Sequence, residues 1–145
     1  MNEGYSKIFV ALDGTEQQAA VLARAIKVAA NNQAELYVGH VIDSTALESA
    51  GSYPADLVNG LEDAFRNSIE DQIEEAKAIP DITKVEVLVQ AGRIRETLKE
   101  EMIDKIQPDL VLCGARGLSS VKYALLGSIS TFLLRNIECD ILVVK

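Results

Sequence analysis

Residues 110–130 read LVLCGARGLSSVKYALLGSIS and join three kinds of local structure in one stretch. The apolar run Leu110–Cys113 is typical of a buried parallel strand. Three glycines follow it, Gly114, Gly117 and Gly127, and a helical pattern begins directly after the last of them. A strand, a glycine-bearing loop and a helix start together suit a phosphate, because unpaired backbone N–H groups converge there. The stretch therefore predicts an α/β fold with an anion-binding loop.

Strand-like and helix-like segments alternate along the rest of the chain. The predicted strands are Lys7–Leu12, Glu35–Ile42, Lys84–Gln90, Leu110–Cys113 and Ile141–Val144. The predicted helices run from a capping box at Thr15 and Gln18 to Asn32, from Val58 to Pro80, from Ile94 to Ile106 and from Ser128 to Arg135. This alternation predicts an open five-stranded parallel sheet with helices on both faces, in a single domain over residues 1–145. Residues 43–56 contain a polar, irregular segment, which predicts either a mobile loop over a ligand site or a disordered surface loop.

Composition and charge restrict the classes of partner. The 145 residues carry a formal net charge of −8, from 22 acidic and 14 basic side chains, which opposes binding to nucleic acid or anionic lipid. No apolar run approaches the ~20 residues of a membrane span. The N-terminus lacks the basic and apolar stretches of a signal peptide, so we expect a cytoplasmic protein. One histidine is too few for a zinc site, and Cys113 and Cys139 are expected to act as small buried hydrophobes.

Several familiar phosphate and hydrolase chemistries do not fit this sequence. The turn after the first strand, Asp13–Glu16, lacks the glycines of a dinucleotide-binding loop, and the chain has no P-loop motif. The third strand ends in Gln90–Gly92, where a phosphoacceptor receiver domain would need an aspartate. The single histidine, His40, lies inside the second strand, where we expect a hydrogen-bonded or edge histidine rather than a catalytic base.

The glycine stretch resembles the nucleotide signature of the universal stress protein family, in its ATP-binding branch. The motif is Gly114-x2-Gly117-x9-Gly127-Ser128. The resemblance extends to the end of the first strand at 11–15, the second strand at 40–42 and the last strand at 139–144. It implies a strand order of 3-2-1-4-5, which places the first and fourth strands side by side at a topological switch point.

The resemblance also implies a binding site for an adenine nucleotide (ATP, ADP or AMP), with Mg²⁺. The residues that it assigns to the nucleotide are Ala11, Leu12, Asp13, Thr15, Val41, Gly114, Arg116, Gly117, Gly127, Ser128, Ile129 and Ser130. The backbone of Val41 would meet the adenine, Asp13 would lie near the ribose and share the Mg²⁺, and residues 127–130 would hold the phosphates. Gly117 and Gly127 would either take a positive φ or let backbone approach the ligand without a Cβ. Ser128 and Ser130 would offer hydroxyl donors at a helix start.

Three positions depart from the family pattern, and one apolar strand suggests a partner. Ala115 replaces a frequent polar residue, Asp140 a common proline, and Arg93 stands where an acidic residue and a proline are frequent. Arg93 follows the third strand, from which it could reach the phosphates. Family members pair through the last strand, so the resemblance implies a homodimer through Ile141, Leu142, Val143 and Val144, which otherwise form an uncovered apolar edge.

Three functions fit these observations. The first is a nucleotide-dependent regulatory switch or sensor in the stress response. The second is a slow ATP hydrolase using the same site, although the sequence offers no convincing general base or arginine finger. The third is a nucleotide-free dimeric interaction protein. The intact glycine–serine motif favours the first over the third.

Overall fold

The structure, a computed structural model, describes residues 4–45, 55–115 and 127–145. Five parallel strands form one sheet in the order β3-β2-β1-β4-β5, which confirms the predicted topology. The strands are β1 (Lys7–Leu12), β2 (Glu35–Asp43), β3 (Lys84–Gly92), β4 (Leu110–Gly114) and β5 (Asp140–Val144). The helices are α1 (Gln18–Asn32), α2 (Ala55–Lys77), α3 (residues 94–106) and α4 (Ser128–Asn136).

The alternation of side chains along β1 divides the core into two layers. Ile8, Val10 and Leu12 point to one face, where they pack with apolar residues of α1 and α2. Phe9 and Ala11 point to the other face, which α3 and α4 cover. Because successive residues of a strand face opposite sides, a strand that is apolar throughout must be covered on both faces. The sheet therefore lies between two helical layers, as predicted.

The first helix begins later than the sequence predicted, and the capping box is wrong. Helix α1 starts at Gln18, and no side chain caps its N-terminus. The hydroxyl of Thr15 instead donates to Asp13 Oδ1 at 2.7 Å. Thr15 thus belongs to a turn closed by the Asp13 carboxylate, and no side-chain cap hydrogen bond forms at the start of α1.

The third helix is continuous but not uniformly wound. Its first turn, Ile94–Glu96, and its last, Asp104–Ile106, are α-helical, and Thr97–Ile103 between them forms a π-helix. Apolar spacing predicted the helix but carries no signal for this change of winding. The predicted loop falls largely on residues 46–54, outside the described residues. Among the helices that the structure describes, none is both long and apolar enough to cross a membrane.

Candidate functional site

A crevice opens where β1 and β4 end, at the point where the order of strands reverses. It is a cavity of about 80 Å³. Its lining residues are Ala11, Leu12, Asp13, His40, Val41, Ile94, Cys113, Gly114 and Ile129. Six of these were assigned to the nucleotide from the sequence, and sheet topology alone brings them together from four separate parts of the chain. Open α/β sheets bind ligands in this position.

Asp13 is held in a defined orientation at the mouth of the crevice. Its Oδ1 accepts hydrogen bonds from the backbone N–H of Thr15 at 3.0 Å and from the Thr15 hydroxyl at 2.7 Å. Gly14, which lies between Asp13 and Thr15, has a φ of +77°, a backbone conformation that is strained in residues with a side chain. Oδ2 has no partner among the described residues. The turn thus presents one carboxylate oxygen to solvent or to a ligand, with Thr15 acting through Asp13.

The end of β2 leaves backbone groups facing the crevice. The last pair between β1 and β2 is Leu12 with His40, whereas β2 continues to pair with β3 as far as Asp43. Among the described residues, 41–43 therefore have a strand neighbour on one side only. The side chain of Val41 is buried in the core, so its main chain is the part available on the crevice side. This geometry agrees with a backbone role for Val41.

His40 lines the crevice, although the sequence gave no reason to assign it there. Its Nδ1 lies 2.8 Å from the Leu12 carbonyl oxygen, so Nδ1 carries the proton and Nε2 is the acceptor in the neutral ring. The ring stacks on Phe65 of α2, with centroids 4.0 Å apart and planes 6° apart. Burial lowers the pKa of His40 and outweighs the Leu12 carbonyl and the charge of Asp13, which raise it. The expected hydrogen-bonded histidine is confirmed, and the ring is neutral near pH 7.

Cys113 also lines the crevice as an unreactive group. Burial, with a smaller contribution from the charge of Asp13, raises the pKa of the Cys113 thiol to about 11. Cys113 is buried, as predicted, whereas Cys139 is only half-buried. A buried thiol with a raised pKa contributes packing rather than chemistry.

Two backbone hydrogen bonds fix the start of α4 beside the end of β4. The N–H of Gly127 donates to the Ala115 carbonyl at 2.8 Å, and the N–H of Ala115 donates to the Val144 carbonyl at 2.8 Å. Gly127 is the N-cap of α4, not Ser128. The first N–H groups of a helix have no acceptor within the helix, so residues 128–130 present theirs at this end.

The two serines and the glycine of this turn have different surroundings. Gly127 has a φ of −63° and a ψ of 164°, which any residue can adopt, so the positive-φ interpretation is wrong for it. The remaining explanation is the lack of a Cβ. Ser128 is exposed, whereas Ser130 is 1% exposed and its hydroxyl donates to the Gly127 carbonyl at 2.9 Å. Arg116 and Gly117 lie outside the described residues.

A second, larger cavity adjoins the crevice. It measures about 410 Å³ and lies between the ends of β2 and β3 and the start of α4. Ile94 and Ile129 line both cavities, so the two lie side by side. Arg93, Arg95 and Ser128 line only the larger one. Two other cavities, of about 280 and 510 Å³, lie against α2 with β3 and at the opposite ends of the strands. They are remote from the carboxyl ends that bind ligands in such sheets.

Together, these observations describe an open parallel α/β protein with a crevice at its topological switch point. The universal stress protein family model matches residues 4–145, and the chain belongs to that family. A universal stress protein of Staphylococcus haemolyticus is 28% identical over 141 residues, covering 97% of this chain and 85% of that protein.

Solved structures agree with this membership. UspA from Lactobacillus plantarum matches with a TM-score of 0.78 at 18% identity, over 99% of this chain and 100% of that one, which shows the same fold. A universal stress protein solved in complex with cAMP matches with a TM-score of 0.64 at 26% identity, over 99% of this chain and 98% of that one.

Proposed function

We propose that this chain is a single-domain regulatory protein that binds an adenine nucleotide in the crevice between β1 and β4. The observation that carries the proposal is the meeting of the β1 end, the free main-chain edge of Val41 and the start of α4 around one cavity. These elements supply what a nucleotide requires: an apolar wall, a fixed carboxylate and unpaired N–H groups for phosphate.

The assignment within the crevice follows the chemistry of its two ends. Ala11, Leu12 and Val41 form the apolar part, which suits an adenine ring. Asp13 suits the ribose hydroxyls. Gly114, Gly127, Ser128 and Ile129 suit the phosphates, with Ser130 holding Gly127 in place. The proposal also assigns Arg116 and Gly117 of the glycine motif to the nucleotide. ATP, ADP and AMP are the candidate ligands. We add cAMP, because a similar universal stress protein was solved in complex with it.

Mg²⁺ fits this site only as a companion of the nucleotide. Within the described residues, no three His, Cys, Asp or Glu side chains cluster closely enough to hold a metal ion. Asp13 offers one oriented carboxylate, and Mg²⁺ prefers such an oxygen together with phosphates and waters. The ion would neutralise part of the phosphate charge.

The proposal includes a homodimer through β5. In the part of the chain that the structure describes, this strand pairs only with β4, and Ile141, Leu142 and Val143 are half-buried, so the strand presents an apolar edge. Leu134 of α4, the helix that packs beside it, is 48% exposed. Edges of this kind are usually covered in folded proteins. In the proposed dimer, β5 of a second copy covers the β5 edge symmetrically.

The decisive experiment identifies the bound molecule. The protein is purified without added nucleotide and denatured, and the released compounds are analysed; calorimetry with ATP, ADP, AMP and cAMP in Mg²⁺ follows. We expect at least one adenine nucleotide to bind. Phosphate release at steady state separates a switch from a slow hydrolase. An empty protein that binds none of the four would instead favour the nucleotide-free interaction protein.

The variant Gly127→Val tests whether the ligand binds at the start of α4. Because φ −63° and ψ 164° suit valine, the fold should survive, while the added side chain obstructs phosphate at the α4 start. We expect a loss on the order of tenfold for each charge-assisted bond removed. Gly60→Val is the matched control, since a Cβ at Gly60 meets open space. Unchanged affinity in Gly127→Val would show that the ligand binds elsewhere.

A further inference from the structure

The larger cavity adjoins the crevice on the side of the β2 and β3 ends, and its lining differs in charge. Ala11, Leu12 and Val41 make the crevice largely apolar on the adenosine side. Beyond Ile94 and Ile129 the wall carries charged groups. These are Asp43, Arg93, Arg95 and Glu96. A ligand that extends from one cavity into the other passes from an apolar to a charged environment at the start of α4.

Arg93 is mounted on a rigid turn in this cavity. Its carbonyl accepts the N–H of Thr97 at 2.9 Å, and the carbonyl of the preceding residue, Gly92, accepts the N–H of Ser44 at 2.9 Å. A Cβ on Gly92 would collide with the Thr97 hydroxyl, so the turn packs without spare room. The backbone position of Arg93 is therefore fixed relative to both β2 and α3.

Among the described residues, the guanidinium of Arg93 has no ion-pair partner. Its side chain is exposed and forms no ion pair with any described residue, although Asp43 and Glu96 line the same cavity. Asp43 instead accepts the N–H of Thr45 at 2.9 Å. Arginine recognises phosphate oxygens through a planar fork of donors. In a chain with a net charge of −8, a polyphosphate needs local cations of this kind.

From this arrangement we infer that Arg93 binds the phosphate groups beyond the first, so that it determines a preference for nucleoside di- and triphosphates over monophosphates. The inference rests on the proposed function, because the adenosine must occupy the crevice. The first phosphate then meets the N–H groups of α4, and the following ones extend into the larger cavity beside Ser128. Glu96 opposes this binding through repulsion.

The test compares ATP, ADP, AMP and adenosine by calorimetry at low salt and saturating Mg²⁺. Arg93→Gln is expected to weaken ATP and ADP binding about 5-fold, with AMP and adenosine unchanged. Glu96→Gln is expected to strengthen ATP about 2-fold. Arg24→Gln is the control, because Arg24 is exposed on α1 and lines neither cavity. The effect of Arg93→Gln should diminish at about 0.5 M salt.

The AMP-to-ATP ratio of dissociation constants decides the outcome. A ratio that falls in Arg93→Gln and not in Arg24→Gln supports the inference. An unchanged ratio overturns it, whether both affinities fall together or neither does, and leaves the proposed function standing if the wild type binds. If the wild type binds none of these four compounds, the inference fails, and the proposed function fails with it when cAMP does not bind either. Circular dichroism verifies that each variant is folded.

Discussion

His40 makes the stability of this protein dependent on pH in a predictable direction. Burial lowers the pKa of its ring in the folded state, whereas in the unfolded chain the pKa is near its ordinary value of about 6.5. The unfolded chain therefore binds a proton first as the pH falls. The stabilisation from the neutral ring is fully present above about pH 6.5 and is lost as the pH falls through the folded-state pKa.

The size of this pH effect has an upper bound, because His40 binds a single proton. The contribution of His40 to the free energy of unfolding changes by no more than about 1.4 kcal/mol per pH unit in this window. His40→Gln removes that dependence and also the stack on Phe65, which contributes about 0.5–1.5 kcal/mol at neutral pH. The difference in unfolding free energy between wild type and variant should therefore narrow on acidification.

Two measurements check this reasoning. Urea denaturation at about pH 7.5 and about pH 5.5 gives the difference in unfolding free energy at each pH. Proton NMR gives the pKa directly, because His40 is the only histidine and its ring signals need no assignment. A titration midpoint at or above about 6.5 would refute the claim that burial dominates, and so would a wild-type-to-variant difference that does not depend on pH.

Two further predictions concern the turn after β3 and the sheet edge. Gly92→Ala should destabilise the fold by about 1–3 kcal/mol, because the new methyl meets the Thr97 hydroxyl; Thr97→Ala should relieve part of this loss, and additive effects in urea denaturation would contradict the contact. Light scattering should give twice the chain mass of 15.7 kDa, and Val143→Lys should halve it with helix content retained; a wild-type monomer would rule out pairing through β5.

Much of the fold follows from local patterns. The strands are apolar runs that both helical layers cover, so their positions were predicted correctly, whereas the correct sheet order came from the family resemblance. The start of α1 was not, because Asp13 competes for the Thr15 hydroxyl through a contact that propensity rules do not weigh. The π-helical turns of α3 leave no mark on the spacing of apolar residues.

The lining of the crevice was predictable where it lies at the ends of strands and less so elsewhere. The rule for open sheets selects Asp13, Val41 and Gly114, whereas Ala11 was assigned through the family resemblance; all four line the crevice. His40 was missed because its position depends on the register with Leu12 and on the stack with α2, both of which are tertiary. Arg93, by contrast, was singled out from its place after β3, and it lines one cavity together with Ser128 of α4.

The two backbone hydrogen bonds at the start of α4 connect this helix with the ends of β4 and β5. Through Ala115, the carbonyl of Val144 at the end of β5 is joined to the N–H of Gly127. The proposed dimer edge and the proposed phosphate end are thus joined by hydrogen bonds through Ala115, in addition to the packing of α4 beside β5. By thermodynamic reciprocity, any factor by which a nucleotide tightens association through β5 is the factor by which association tightens nucleotide binding. Protein concentration would then act on this molecule as a second effector.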